Sequence, residues 1–163
     1  MELTTADLET ILNLDPFLRF CGVKSYDTLP KNVSSYPCGF VVNTDPSYRK
    51  GEHWISVYFD NEKNCQYFCS FATEPFGKMY DFIKKNSFKT HYNVRPLQSY
   101  YSSCCGFFAV YHLLLASRGF SLLDVVKTFE EKEPLENDRL VENFVYSYIE
   151  KRSKNDAYFS IKY

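Results

Sequence analysis

The segment CCGFFAVYHLLLAS, residues 104–117, is apolar on every side when wound at helical spacing. A helix with no polar face must lie inside a domain, and the rest of the chain must cover it from all directions. The helix is expected over residues 103–117, stopped by Arg118-Gly119. Candidate covering elements lie on both sides of it. Residues 4–14 read as an amphipathic helix capped by Thr4 or Thr5, with Leu8, Ile11, Leu12 and Leu14 on its apolar side. Residues 17–23 fit a short strand or a turn, and 24–37 carry turn residues such as Asp27, Pro30, Asn32 and Pro37. Strands are expected at 39–42, 53–60, 65–71 and 89–95, with a hairpin turn at 60–64. Further helices are expected at 77–87, at 121–129 capped by Ser121, and at 134–152, before a polar, basic tail. The expectation is one α+β domain over 1–163, a central mixed β-sheet packed against helices.

The chain has 163 residues, 45% apolar and 18% aromatic, enough for a sizeable core. Its formal net charge is -1, which gives no reason to expect DNA or an anionic membrane as an essential partner. No window approaches the roughly 18 apolar residues of a membrane span. The acidic, periodic start MELTTADLETILNLD does not read as a secretory signal. Cysteines 21, 38, 65, 69, 104 and 105 are therefore expected as reduced thiols inside the cell. They form no paired CxxC elements and the three histidines are scattered, so neither a zinc site nor any other cofactor is expected.

The central helix begins with two thiols and a glycine. A helix N-terminus favours thiolate through its dipole and free N–H groups. Cys104 and Cys105 both stand there, and Gly106 leaves room for a substrate backbone. His53, at the start of a strand after Gly51-Glu52, is the best-placed base. His91 sits mid-strand and His112 lies on the apolar helix, so both are weaker candidates. Gln98, in the loop before the helix, can offer a side-chain amide to an oxyanion. The local chemistry leaves a plain alternative open. Unpaired cysteines are commonly small buried hydrophobes, and a lone histidine is commonly a satisfied polar group.

The stretches YPCGFVVNTDPSYRKGEHWISVYFD and QSYYSSCCGFFAVYHLL resemble the adenovirus protease-like cysteine proteases, in particular those of polinton-like and adintovirus-like elements. The wider clan includes proteases that remove small ubiquitin-like modifiers. Gly-x-His-Trp followed by Gln-x6-Cys-Gly, in that order, carries the resemblance, which runs from about Phe17 to Leu123. It implies His53 as base, Cys105 rather than Cys104 as nucleophile, and Gln98 as oxyanion donor. It also implies a preference for small residues such as glycine beside the cut, with Trp54 and Gly106 lining a narrow substrate tunnel; Trp54 fits a core aromatic equally well. One position departs from the pattern. The family's acid slot holds Cys69, in QYFCSF, and the nearest later carboxylate is Glu74, in TEPFG. Three arrangements follow: a Cys-His dyad, a triad completed by Glu74, or a weakened relative.

The resemblance implies an endopeptidase acting on viral or element-encoded precursor polypeptides, in the host nucleus or cytoplasm or packaged in virions. The alternatives are an isopeptidase of ubiquitin-like modifiers and a pseudoprotease serving as a binding module. The adenovirus enzyme is activated by DNA and by a disulfide-linked peptide. For such an activating peptide, Cys104 is the thiol beside the site, although nothing in the sequence singles it out.

Overall fold

The computed structural model describes residues 2–160, with side chains described to residue 155. The elements run α1 (Thr5–Asn13), β1 (Phe20–Ser25), β2 (Cys38–Asn43), β3 (Trp54–Phe59), β4 (Asn64–Phe68), α2 (Gly77–Asn86), β5 (Lys89–Tyr92), α3 (Cys105–Ala116), α4 (Leu122–Lys127) and α5 (Pro134–Ser160). The five strands form one mixed sheet in chain order. The outer pairs β1–β2 and β4–β5 are parallel, and the inner pairs β2–β3 and β3–β4 are antiparallel.

Alternation along the strands divides the interior into two cores. Cys38, Phe40, Val42, Ile55, Val57, Phe59, Cys65, Tyr67 and Cys69 pack with Met79, Phe82 and Ile83 of α2. Val41, Tyr58 and Phe68 belong to the opposite core, built on α3 and closed by α1, α4 and α5. With helices on both faces, β2 is buried at every position, which is why its sequence reads as a continuous apolar run. Helix α3 lies close against the sheet at Gly39, where a Cβ would stand 2.9 Å from Leu113 Cδ2 and 3.1 Å from Leu18 Cδ1.

Local signals set several ends. Thr4 and Asp7 form a capping box at the start of α1, and Ser121 and Asp124 form one at α4. Asp60 is a turn residue: its Oδ1 accepts from the N–H groups of Glu62 and Asn64. Several boundaries differ from the sequence expectation, among them the strand expected at 89–95, which ends at Tyr92. The segment expected at 17–23 as strand or turn is strand β1, parallel to β2 and irregular between Phe20 and Val23. The strand expected at 65–71 ends at Phe68 because the chain turns at Ala72, whose φ is +57°. Helix α5 continues to Ser160, through most of the segment read as a polar tail, while residues 161–163 lie outside the described ones. Among the described residues no helix is long and apolar enough to cross a membrane.

Two buried polar clusters tie the layers together. Asp15 Oδ1 accepts from the N–H groups of Phe17 and Leu18. Its Oδ2 accepts from Arg118 at 2.8 Å and from Tyr148 at 2.7 Å, joining the ends of α1 and α3 to α5. Burial opposes the charge of Asp15, but these bonds outweigh it and hold the carboxyl below its ordinary value. His112, on α3, is fully buried between Ser56 Oγ at 2.7 Å and Gln66 Oε1 at 3.0 Å, and it stacks on Phe68. Gln66 Oε1 can only accept, so Nε2 of His112 carries the proton and Nδ1 accepts from Ser56.

Burial pushes His112 from 6.5 down to about 3. The unfolded chain takes up this proton near pH 6.5 and the folded chain does not. The stabilising effect is therefore complete above pH 6.5 and lost as pH falls below it. Urea unfolding should show stability falling from pH 6.5 to 5 by up to about 1.4 kcal/mol per pH unit for each such histidine. His112→Gln should flatten that slope; an unchanged slope would remove His112 as its source.

Candidate active site

Helix α3 opens without a capping side chain, since Cys104 at the N-cap makes no capping hydrogen bond. Its first N–H groups are left for another acceptor. Cys105 is the first residue of the helix, and the backbone N–H groups of Trp54, Gly106 and Cys105 itself act on its sulfur. Burial has the largest effect and pushes the thiol above its ordinary value of 9.0 despite those donors, with Glu2 adding to the rise. Cys104 points elsewhere. Its thiol donates to Glu142 Oε1 on α5 at 3.4 Å and is pushed up to about 12, by burial first and then by Asp138 and Glu142.

His53 immediately precedes β3 and is fixed by its carbonyl, which accepts from Thr44 N–H at 3.0 Å. Its Nε2 lies 3.3 Å from Cys69 Sγ, so Nδ1 is the ring nitrogen left for a second partner. Cys69 is fully buried just past the end of β4 and is held through its backbone. Asn93 Oδ1 accepts from Cys69 N–H at 3.0 Å and Asn93 Nδ2 donates to Cys69 O at 2.7 Å. At the position where the sequence comparison expects an acid, the neighbour of the imidazole is therefore a thiol. Glu74 is exposed in the loop ahead of α2. His53 is pushed down to about 4 by burial alone, with no contribution from any carboxylate. Imidazole and Cys105 thiol are thus both neutral at pH 7.

Gln98 is buried beside the start of α3. Its Oε1 accepts from Ser70 Oγ at 2.6 Å, and its Nε2 donates to Ser102 O at 2.8 Å and Ser102 Oγ at 3.1 Å. Trp54 is half-buried against the α3 core. At Gly106 a Cβ would stand 3.0 Å from Leu3 Cβ and 3.5 Å from Trp54 Cδ1. The space over Gly106 is thus filled by the N-terminal segment of the chain itself. Leu3 precedes the Thr4 cap and sits where a hydrophobic staple to Leu8 is formed, but no local signal could reveal its contact with Gly106. On the other flank the His53 ring packs on Phe71 at 5.0 Å, Phe71 neighbours Tyr100, and Tyr100 and Tyr101 are 84% and 97% exposed. Among the described residues no cluster of His, Cys, Asp and Glu side chains could hold a metal ion.

No protein-family model matches the sequence, and no curated protein matches it. Solved structures do. The ASFV pS273R protease superposes with a TM-score of 0.54 at 17% identity, over 74% of this chain and 58% of that one. The chain therefore spans less than two thirds of that protease. The central domain of Lpg1148 from Legionella pneumophila gives 0.47 at 12% identity, over 91% of this chain and 98% of that one. The SUMO protease Ulp1 gives 0.34 at 16% identity, over 66% and 54%. The ASFV match carries the conclusion, which concerns the fold: five strands of a mixed sheet packed against helices, the fold of the ASFV protease.

Proposed function

We propose that this protein is a cysteine endopeptidase of the adenovirus-protease-like kind, acting on precursor polypeptides with small residues such as glycine beside the cut. The observation that carries the reading is the contact of His53 Nε2 with the acid-slot residue Cys69, which leaves Nδ1 free for a thiol at the start of α3. His53 takes the Cys105 proton, and the thiolate attacks the scissile carbonyl. The Cys105 N–H and the Gln98 amide bind the oxyanion. The imidazolium protonates the leaving amine, and water hydrolyses the thioester.

The neutral state of both groups sets the rate. A triad acid holds the imidazole in the right tautomer and stabilises the imidazolium. A thiol does this poorly, so the resting enzyme is slow. The same observation favours a second reading, a binding module that retains the fold with little turnover.

Two experiments test the proposal. A peptide aldehyde ending in glycyl-glycinal should bind wild type and Cys104→Ala alike and lose binding in Cys105→Ala. Cys21, half-buried and lowered to about 6 by its contact with Cys38 and by Arg19 and Lys24, should be replaced by serine in all variants so that it does not compete. Undiminished binding by Cys105→Ala would overturn the assignment. In the second experiment, Cys69→Asp places a carboxylate against Nε2 and should raise the His53 pKa from about 4. Cleavage should accelerate by at least about tenfold, within the roughly 10⁴-fold that loss of a triad acid costs. The acid limb of the pH–rate profile should move to higher pH. A folded Cys69→Asp variant that binds the aldehyde and gains no rate would favour the binding module.

A further inference from the structure

Tyr100 and Tyr101 are the two most exposed large apolar side chains among the described residues. Their backbone, in contrast, is held firmly. They are the two corner residues of a tight turn, in which Ser102 N–H and Ser102 Oγ both donate to Ser99 O, at 3.1 and 3.2 Å. The approach to the turn is tied down as well. Leu97 N–H and Gln98 N–H donate to Ser70 O, Leu97 O accepts from Asn137 Nδ2, and Ser99 N–H donates to Asp138 Oδ1. Turn corners are ordinarily served by Pro, Asn, Asp, Ser or Gly, which suit them by backbone geometry or by local hydrogen bonding. Tyrosine brings neither advantage, and at this exposure the core gains nothing from the rings. Rigidly mounted tyrosines are instead what a binding surface uses, because they offer a large contact area and lose little side-chain entropy.

The rings lead inward to the candidate active site. Tyr101 meets Tyr100 edge-to-face at 5.6 Å between ring centres, Tyr100 stands 6.4 Å from Phe71, and Phe71 packs on the His53 imidazole at 5.0 Å. The two steps from His53 to Tyr100 cover no more than about three or four residues of extended chain, at roughly 3.3 Å each. In the mechanism proposed above, His53 hands its proton to the leaving amine. The polypeptide on the C-terminal side of the cut therefore departs over the imidazole, toward this file of rings.

We propose that Tyr100 and Tyr101 bind the leaving side of the substrate, taking an aromatic side chain three or four residues after the cut into the corner between their rings; the inference rests on the roles proposed above for His53 and Cys105. The edge-to-face pair leaves a ring face open beside a ring edge. A third aromatic ring adds to such a pair in the offset or edge-to-face contacts that aromatic groups prefer. The tyrosines thereby select substrates at a distance from the cut, where the small residues beside the scissile bond carry little information.

The test uses the full chain with Cys105→Ala, which leaves a peptide spanning the cut intact, and calorimetric titration with peptides carrying Gly-Gly before the cut. Phe as the third or fourth residue after the cut should bind about tenfold more tightly than Ala at the same place. Adding Tyr100→Ala and Tyr101→Ala together should shrink that preference to within about twofold, and Tyr100→Phe with Tyr101→Phe should keep it. Phe placed three or four residues before the cut should bring no such gain. The glycyl-glycinal aldehyde ends at the cut, so in Cys21→Ser protein that retains Cys105 it should bind equally with and without the two tyrosines. A Phe preference that survives the paired alanine changes, a stronger preference for Lys, or a gain only from Phe before the cut would overturn the inference alone. So would weaker aldehyde binding in the alanine variant, or no gain from Phe in any spanning peptide while the aldehyde still binds through Cys105. Aldehyde binding that does not depend on Cys105 would remove the proposed function and this inference with it.

Discussion

The burial of α3 on all sides is the constraint on which the rest of the molecule depends. A helix of that composition stabilises the fold only if every face is covered. The sheet covers one face, approaching closely at Gly39, and α1, α4 and α5 cover the others. Its termini, by contrast, must satisfy orphan N–H and C=O groups. At the C-terminal end Arg118 donates to the Leu114 carbonyl and reaches the buried Asp15. At the N-terminal end no side chain caps, and Cys105 stands there instead. The buried helix thus has polar groups to spare at the end where Cys105 stands, which ties the position of that thiol to the packing of the whole domain.

At that helix end the Cys105 thiol and, beside Trp54, the His53 imidazole are both uncharged at neutral pH. Backbone donors face the Cys105 sulfur, yet burial dominates and keeps it a thiol. Burial likewise keeps His53 a neutral imidazole. In the usual triad a carboxylate offsets that cost for the histidine. Here the neighbour is Cys69, whose interaction with Nε2 is that of a weak donor and acceptor. Orientation of the ring is preserved and stabilisation of its cation is not.

Much of this was legible in the sequence, and the exceptions share a cause. The buried helix, the strands β2 to β5 and the capping boxes follow from periodicity and local side-chain chemistry. The contact of His53 with Cys69, and the bonds of Gln98 to Ser102 just ahead of Cys105, join residues that the sequence had singled out. The parallel pairing of β1 left no local mark, because its register is set by β2 across a turn-rich loop. Leu3 over Gly106, and Asp138 against the Ser99 N–H, are contacts between segments far apart in the chain. An Asp in the first turns of an amphipathic helix looks like an ordinary polar residue until the loop it supports is placed against it. The run KRSKND at 151–156 reads as a tail, yet polarity alone does not end a helix and α5 continues through it.

Cys69 lies in the α2-side core, while Cys105 opens α3, the helix at the centre of the opposite core. An ionised aspartate at that address would be surrounded by Tyr67, Met79 and their neighbours, with only a protonated His53 to balance it, and so would burden the folded state in every molecule not engaged in turnover. The thiol removes that burden. It favours a sturdy domain without disturbing the layer that holds Cys105. A change at this address therefore acts first on the α2-side core and reaches the α3 layer only by way of the His53 ring.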